Sequence, residues 1–304
     1  MVPFKDVDFV QFDSLLSQEE KLVRQTVREF INREVVPYIE EWNREARFPR
    51  HLVKPMGKLG LLGANLQGYG CAGMSNVPYG LVMQELERGD SSLRSFVSVQ
   101  GALVMHPIHT YGSERQKEHW LPRLQQGEAV GCFGLTEPDF GSNPAGMRTR
   151  AVKDGDFYIL NGEKAWITSG TIADVALIWA RADDGIRGFL VEKGTPGFTG
   201  RDVKGKWSLR ASVTSILALA DVRVPAGNLL PGARGLKAPL DCLSQARYGI
   251  GWGAIGAAMA CYHEALEYAK VRKQFDCKPI ASHQLVQSKF ADMITEITKA
   301  QLLA

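Results

Sequence analysis

FYILNGEKAWIT, Phe157 to Thr168, is the stretch that decides the fold. It is rich in aromatic and β-branched residues and carries the turn dipeptide Asn161-Gly162 at its centre. It therefore reads as two short strands, Phe157 to Leu160 and Glu163 to Thr168, joined by a turn. Similar runs follow. Val175 to Arg181 and Arg187 to Glu192 flank Asp184-Gly185, and Ile216 to Val224 closes the series before Pro225. These runs begin after Gly127 and predict an antiparallel β-domain, a small barrel or sandwich.

On either side the period changes to that of helices. Upstream, Ser17 and Glu20 form a capping box, and Leu22, Val23, Val27, Phe30 and Ile31 recur at helical spacing until Pro37. Further helical stretches run from Tyr79 to Arg88, Ser91 to Val104 and Ser113 to Gln126. Downstream, Leu240 to Arg272 and Gln284 to the end are helical, with a turn around Pro279. The last stretch, ADMITEITKAQLLA, has no Gly or Pro stop, so the bundle that begins there is expected to be incomplete and to expose apolar faces at Leu285, Phe290, Ile294 and Ile297. The fold class is α+β and multi-domain: a helical domain over 1–130, a β-domain over 131–235 and the start of a helical bundle over 236–304.

Composition narrows the function. The 304 residues carry a formal charge of only +3, with basic and acidic residues interleaved, which argues against nucleic acid. The five cysteines are scattered and form no C-x-x-C pair, so they read as reduced thiols. His106 and His109 have no ligand set around them, and no metal is expected. No apolar run reaches the roughly 18 residues of a membrane span. MVPFKDVDFVQFD has neither a signal nor a transit character, and a cytoplasmic protein is expected.

Three motifs carry chemistry. Gly251, Gly253 and Gly256 spell G-x-G-x-x-G, but LDCLSQARYGI before them is not a buried strand, so close helix packing is the better reading than a dinucleotide cradle. CFGLTEPDFGSNP, Cys132 to Pro144, combines a β run with small polar residues whose N–H and hydroxyl groups suit a phosphate or a ring edge. KAWITSG, Lys164 to Gly170, adds Trp166 and Thr168. Alone, each of the last two is compatible with an ordinary loop or strand.

Their order is more specific. A helical domain, LTEPDFGS, WIT on a β-domain, then ARYGIGWGAIGA and RKQF on returning helices resembles the acyl-CoA dehydrogenases over the whole chain. Within that family, ERGDSSLRSFVSVQ, IRGFLVEKGTPGF and KWSLRASVTS are most similar to the glutaryl-CoA dehydrogenases. The resemblance implies FAD as cofactor, an acyl-CoA substrate, an electron-transfer flavoprotein as acceptor and a homotetramer acting in lysine and tryptophan degradation. By similarity, Phe133, Leu135, Thr136, Ser142, Trp166, Ile167 and Thr168 contact the flavin or its phosphates. Ser142 and Arg247 face the CoA side, and Arg272, Gln274 and Phe275 reach the FAD of a neighbouring subunit. Arg94, with Ser95 and Ser98, grips a distal carboxylate, and Glu87 tunes that contact. An Arg suits this role because its planar fork matches a carboxylate.

The implied chemistry is loss of the α-proton to a carboxylate and of the β-hydrogen as hydride to the flavin, with carbon dioxide then leaving to give crotonyl-CoA. In the family the base is a Glu in a Y-E-G-T segment, which these 304 residues lack, so the chain as written is expected to be a truncated and nearly inactive enzyme. Phe275-Asp276-Cys277-Lys278-Pro279 departs from the family's F-G-x-P, and Asn143 stands where Asp is usual. Two alternatives remain: a dehydrogenase of another acyl-CoA or one that omits decarboxylation, and a non-catalytic short form that binds CoA or a partner subunit.

Overall fold

The computed structural model describes residues 10–304. The reading of MVPFKDVDFVQFD rests mainly on residues 1–9, which lie outside the described residues. Helices come first: α1 (Gln18–Glu34), α2 (Ile39–Glu45), α3 (Val53–Lys58), α4 (Asn76–Gly89), α5 (Ser91–Ser98), a π-helical stretch (Val99–Met105), α6 (His106–Tyr111) and α7 (Glu114–Gln125). Strands follow as β1 (Gly131–Gly134), β2 (Arg150–Asp154), β3 (Phe157–Thr168), β4 (Val175–Ala182), β5 (Gly185–Glu192), β6 (Phe198–Asp202) and β7 (Thr214–Pro225). The chain returns to helix with α8 (Lys237–Val271) and α9 (Gln284–Leu303), separated by a hairpin of β8 (Lys273–Gln274) and β9 (Lys278–Pro279). Among the described residues no helix is long and apolar enough to cross a membrane.

The chain packs as two compact units, of which the first holds residues 10–37, 77–94 and 248–304. Its α1 starts from the expected capping box: the Ser17 hydroxyl accepts the Glu20 N–H at 3.2 Å, and the Glu20 carboxylate accepts the Ser17 N–H at 2.7 Å. Val27, Phe30 and Ile31 are buried, whereas Leu22 is exposed. At about 100° per residue, Leu22 lies well round the helix from that stripe. Glu85 of α4 is fully buried between two arginines, Arg28 at 2.7 Å and Arg88 at 2.8 Å, and Arg88 also donates to Asn32 at 2.8 Å. The G-x-G-x-x-G glycines lie wholly inside α8, and two of them, Gly253 and Gly256, make room for α4. A Cβ on Gly256 would stand 2.0 Å from the Gln84 carbonyl oxygen, and one on Gly80 would stand 2.3 Å from the Trp252 ring.

The second unit, residues 38–76 and 95–247, contains the sheet. Strand order is β1-β4-β2-β3-β7-β6, with β5 paired on β4. Most ladders are antiparallel, but β1 joins β4 in parallel, from Gly131↔Val175 to Gly134↔Ile178, and β2 touches β4 in parallel at Arg150↔Arg181. Cys132, Leu160, Ile178, Phe189, Leu217 and Val222 are among its buried core. Asn161-Gly162 is not a turn. Strand β3 runs straight through it, because β7 pairs on both sides, and the register slips between Leu160↔Val222 and Gly162↔Leu219. Asp221 of β7 takes up that slip in a left-handed conformation (φ 50°), with its N–H donating to Asn161 Oδ1 at 2.8 Å. The turn that precedes β3 is at Gly155 (φ 57°), between Asp154 and Phe157.

Helical residues are stitched to this sheet by Gln100. Fully buried, it donates to the carbonyls of Leu124 (3.1 Å) and Ala129 (2.9 Å), and its carbonyl oxygen accepts the Gly131 N–H at 2.9 Å. The π-helical stretch that carries Gln100 is thereby fixed beside β1.

Candidate active site

In the second unit a cleft with about 810 Å³ of open space lies between the loop after β1, the end of β3, the π-helical stretch and the start of α8. Phe133, Leu135, Thr136 and Ser142 line it from the β1 side, Trp166, Ile167 and Thr168 from β3, and Arg247 from α8. Eight of the residues singled out in the sequence therefore meet in one place. Three features position them. Strand β3 carries one extra residue between Lys164↔Leu217 and Ile167↔Ser215. Trp166 takes the left-handed conformation this bulge needs (φ 60°) and presents its indole at 66% exposure. The Ala165 N–H donates to the Thr136 carbonyl at 2.9 Å, which ties the loop to the bulge.

Two charged residues that sequence reasoning missed lie behind this junction. Lys164 Nζ stands 2.8 Å from Glu137 Oε1 and donates to the Leu135 carbonyl at 3.2 Å. Burial pushes the Lys164 ammonium down to about 8, against the pull of Glu137. Burial raises the Glu137 carboxyl too, but the hydrogen bonds from the Arg148 N–H, Lys164 and Thr149 together outweigh it and hold Glu137 below the usual carboxylate value. Both sit inside motifs already quoted, TEPDFGS and KAWIT. The available signal for Lys164 was a charge directly before the apolar run Ala165-Trp166-Ile167 of β3, whereas Glu137, on a loop, carried none.

In the first unit, Arg94 donates from Nε and Nη2 to the two Glu87 oxygens, forming an ion pair with each side chain only about a tenth exposed, 11% and 10%. Tyr79 is buried beside it, its hydroxyl pushed up to about 12 by burial, and stacks on Tyr248 at 6.2 Å. Gly253 borders the same pair: a Cβ there would come within 2.1 Å of Glu87 Oε2. In the second unit, Ser95 and Ser98 lie on α5, with Ser98 buried. Arg272 follows α8, and Gln274 and Phe275 lie on the β8–β9 hairpin; all three are solvent-exposed, Phe275 at 79%. Phe275, Asp276 and Cys277 are successively left-handed (φ 47°, 53° and 58°).

Family models described as the acyl-CoA dehydrogenase N-terminal, middle and C-terminal domains match residues 17–128, 132–222 and 233–304. The chain belongs to the acyl-CoA dehydrogenase family. One relative in it is a probable acyl-CoA dehydrogenase of Bacillus subtilis, 38% identical over 94% of this chain and 77% of its own length. Another is the mitochondrial short-chain specific acyl-CoA dehydrogenase of Rattus norvegicus, 37% identical over 95% and 71%. Among solved structures, a glutaryl-CoA dehydrogenase from Mycobacterium smegmatis in complex with FADH2 is similar at 56% identity and a TM-score of 0.94, covering 96% of this chain and 76% of that one.

The cleft fits what an acyl-CoA dehydrogenase has to hold. Apolar walls at Phe133, Leu135 and Ile167, an exposed indole face, and hydroxyls at Thr136, Ser142 and Thr168 suit a flat heteroaromatic ring with a phosphate tail. Val99, Leu103, Leu240 and Leu243 also line it and were not singled out in the sequence, because aliphatic residues on helices read as core.

Proposed function

We propose that this acyl-CoA dehydrogenase is an FAD-dependent enzyme acting on glutaryl-CoA, with decarboxylation to crotonyl-CoA. The observation that carries the acyl specificity is the part-buried Glu87–Arg94 pair. Its Nε–Nη2 edge serves Glu87, so the end-on edge of the guanidinium is available for a second carboxylate, that of a dicarboxylic acyl chain. Glu87 sets the orientation of the fork and partly offsets its charge. Ser95 and Ser98 assist Arg94 at the distal carboxylate. The 56% identity to the Mycobacterium smegmatis glutaryl-CoA dehydrogenase supports the same reading.

FAD, when bound, supplies the hydride acceptor for the β-hydrogen, while the α-proton passes to a carboxylate base, which in the family belongs to a Y-E-G-T segment that these 304 residues lack. Phe133, Leu135, Thr136 and Ser142 hold it from one side of the cleft and Trp166, Ile167 and Thr168 from the other, with Trp166 excluding water from the ring. Ser142 and Arg247 serve the CoA moiety, and Arg272, Gln274 and Phe275 reach the FAD of a neighbouring copy in a homotetramer. The unsaturated dicarboxylic thioester then loses carbon dioxide and takes up a proton, giving crotonyl-CoA. Electrons pass to an electron-transfer flavoprotein. The division at 1–130, 131–235 and 236–304 belongs to this reading, and five free cysteines fit a reducing, cytoplasmic setting.

Likeness to a short-chain specific enzyme favours a second reading, a dehydrogenase of a monocarboxylic acyl-CoA. Mass spectrometry of the thioesters formed by the purified flavoprotein, in a form that carries the family's Y-E-G-T base, decides. Crotonyl-CoA from glutaryl-CoA supports the first reading, glutaconyl-CoA a non-decarboxylating enzyme, and turnover of butyryl-CoA alone the second.

A further inference from the structure

The buried Glu137–Lys164 pair has a consequence beyond stability. Glu137 Oε1 accepts from Lys164 Nζ (2.8 Å) and from the N–H (2.9 Å) and hydroxyl (2.5 Å) of Thr149, while Oε2 accepts the Arg148 N–H at 2.6 Å. Lys164 also holds the Leu135 carbonyl. Two side chains thus fasten the beginning of the loop after β1, its end at Arg148 and Thr149, and strand β3 two residues before Trp166. Two glycines keep the surroundings open: a Cβ on Gly134 would stand 2.6 Å from Ile178 Cδ1 and 3.3 Å from Lys164 Cγ, and one on Gly162 would stand 2.5 Å from the Thr149 hydroxyl that donates to Glu137. Apolar side chains of similar volume in such a place often match or exceed an ion pair in stability, so stability alone is a weak reason for two buried charges. The geometric reason is stronger, because the elements they join are the two walls of the cleft.

We propose that Glu137 and Lys164 are positioning residues for the flavin, fixing the spacing between the wall that carries Thr136 and Ser142 and the bulge that carries Trp166 and Thr168. The proposal rests on the FAD reading above. Neither residue touches the ring. They act through the loop and the bulge, so their loss changes how the cleft grips the cofactor rather than whether the sheet forms.

The test compares the purified protein with the double variant Glu137→Gln/Lys164→Met, which removes both charges with little change of volume, and with Thr149→Val, which removes one hydrogen bond to Glu137 without exposing a charge. FAD affinity is read by quenching of flavin fluorescence, the ring environment by visible circular dichroism, and folding by thermal unfolding of the FAD-free protein. The double variant is expected to fold but to bind FAD roughly tenfold or more weakly, with an altered visible spectrum, since small misplacements of a binding group have large effects. Thr149→Val is expected to move both flavin readouts the same way by less. A folded double variant with unchanged affinity and spectrum overturns the proposal. If the double variant does not fold, unchanged flavin readouts in Thr149→Val overturn it instead. A parent protein that takes up no FAD overturns the cofactor reading and this proposal with it.

Discussion

Gly253 and Glu87 stand so close that a Cβ on the glycine would lie 2.1 Å from Glu87 Oε2 and 3.3 Å from Arg94 Nε, so the missing side chain is what lets the ion pair form. The three glycines of G-x-G-x-x-G consequently answer differently to alanine. Gly251 has nothing within 4 Å, and Gly251→Ala is expected to stabilise α8 by roughly 0.5–1 kcal/mol through helix propensity. Gly253→Ala is expected to lose about 1–3 kcal/mol through overpacking. Gly256→Ala should cost at least as much, because its neighbour is the Gln84 backbone carbonyl at 2.0 Å and cannot rotate away. Urea unfolding of the three variants checks the signs; equal effects at 251 and 253 would remove Gly253 from the account.

The hairpin between α8 and α9 carries its own strain. Phe275, Asp276 and Cys277 are all left-handed, a conformation that costs a residue with a Cβ about 1–2 kcal/mol. Cys277→Gly is therefore expected to raise stability by up to about 1 kcal/mol after the extra freedom glycine gains in the unfolded chain. Thermal unfolding measures this, and a lower midpoint would contradict it.

Alkaline stability is linked to Lys164. Its folded pKa is depressed to about 8 from the ordinary 10.5, so between those values the unfolded chain binds more protons than the folded one. Stability then rises with pH across that window. In Lys164→Met the rising limb is expected to flatten. Denaturant unfolding at several pH values from 8 to 10.5 reads the two slopes, and parallel curves would show that another group is responsible.

Helices with local signals were legible in the sequence. The Ser17–Glu20 box and the stripe through Val27, Phe30 and Ile31 need only neighbours along the chain, and α8 was long enough for its period to stand out. Asn161-Gly162 misled because the dipeptide's turn preference was overruled by β7, which pairs on both sides of it and absorbs the slip at Asp221. The parallel β1–β4 ladder joins residues more than forty apart, from Gly131 to Val175, and no local pattern encodes that. At the site, residues in aromatic or hydroxyl-rich motifs were found, whereas Glu137 and Lys164 acquire meaning only when the fold buries them together. Leu22 shares the helical spacing of Val27, Phe30 and Ile31 along the chain, and its 67% exposure follows from its angle around α1.

The assignment of a dicarboxylic substrate stands on Arg94. Titration of the FAD-loaded protein and of Arg94→Met with glutaryl-CoA and with butyryl-CoA, followed by the change in flavin absorbance, tests it most directly. Removing one partner of a buried, hydrogen-bonded charge pair costs about 2–5 kcal/mol, so glutaryl-CoA binding should weaken roughly 30-fold to several thousandfold. Butyryl-CoA, which has no second carboxylate, should bind the variant and the parent within a few-fold of each other. Equal losses for both thioesters, or no preference for glutaryl-CoA in the parent protein, would contradict the account.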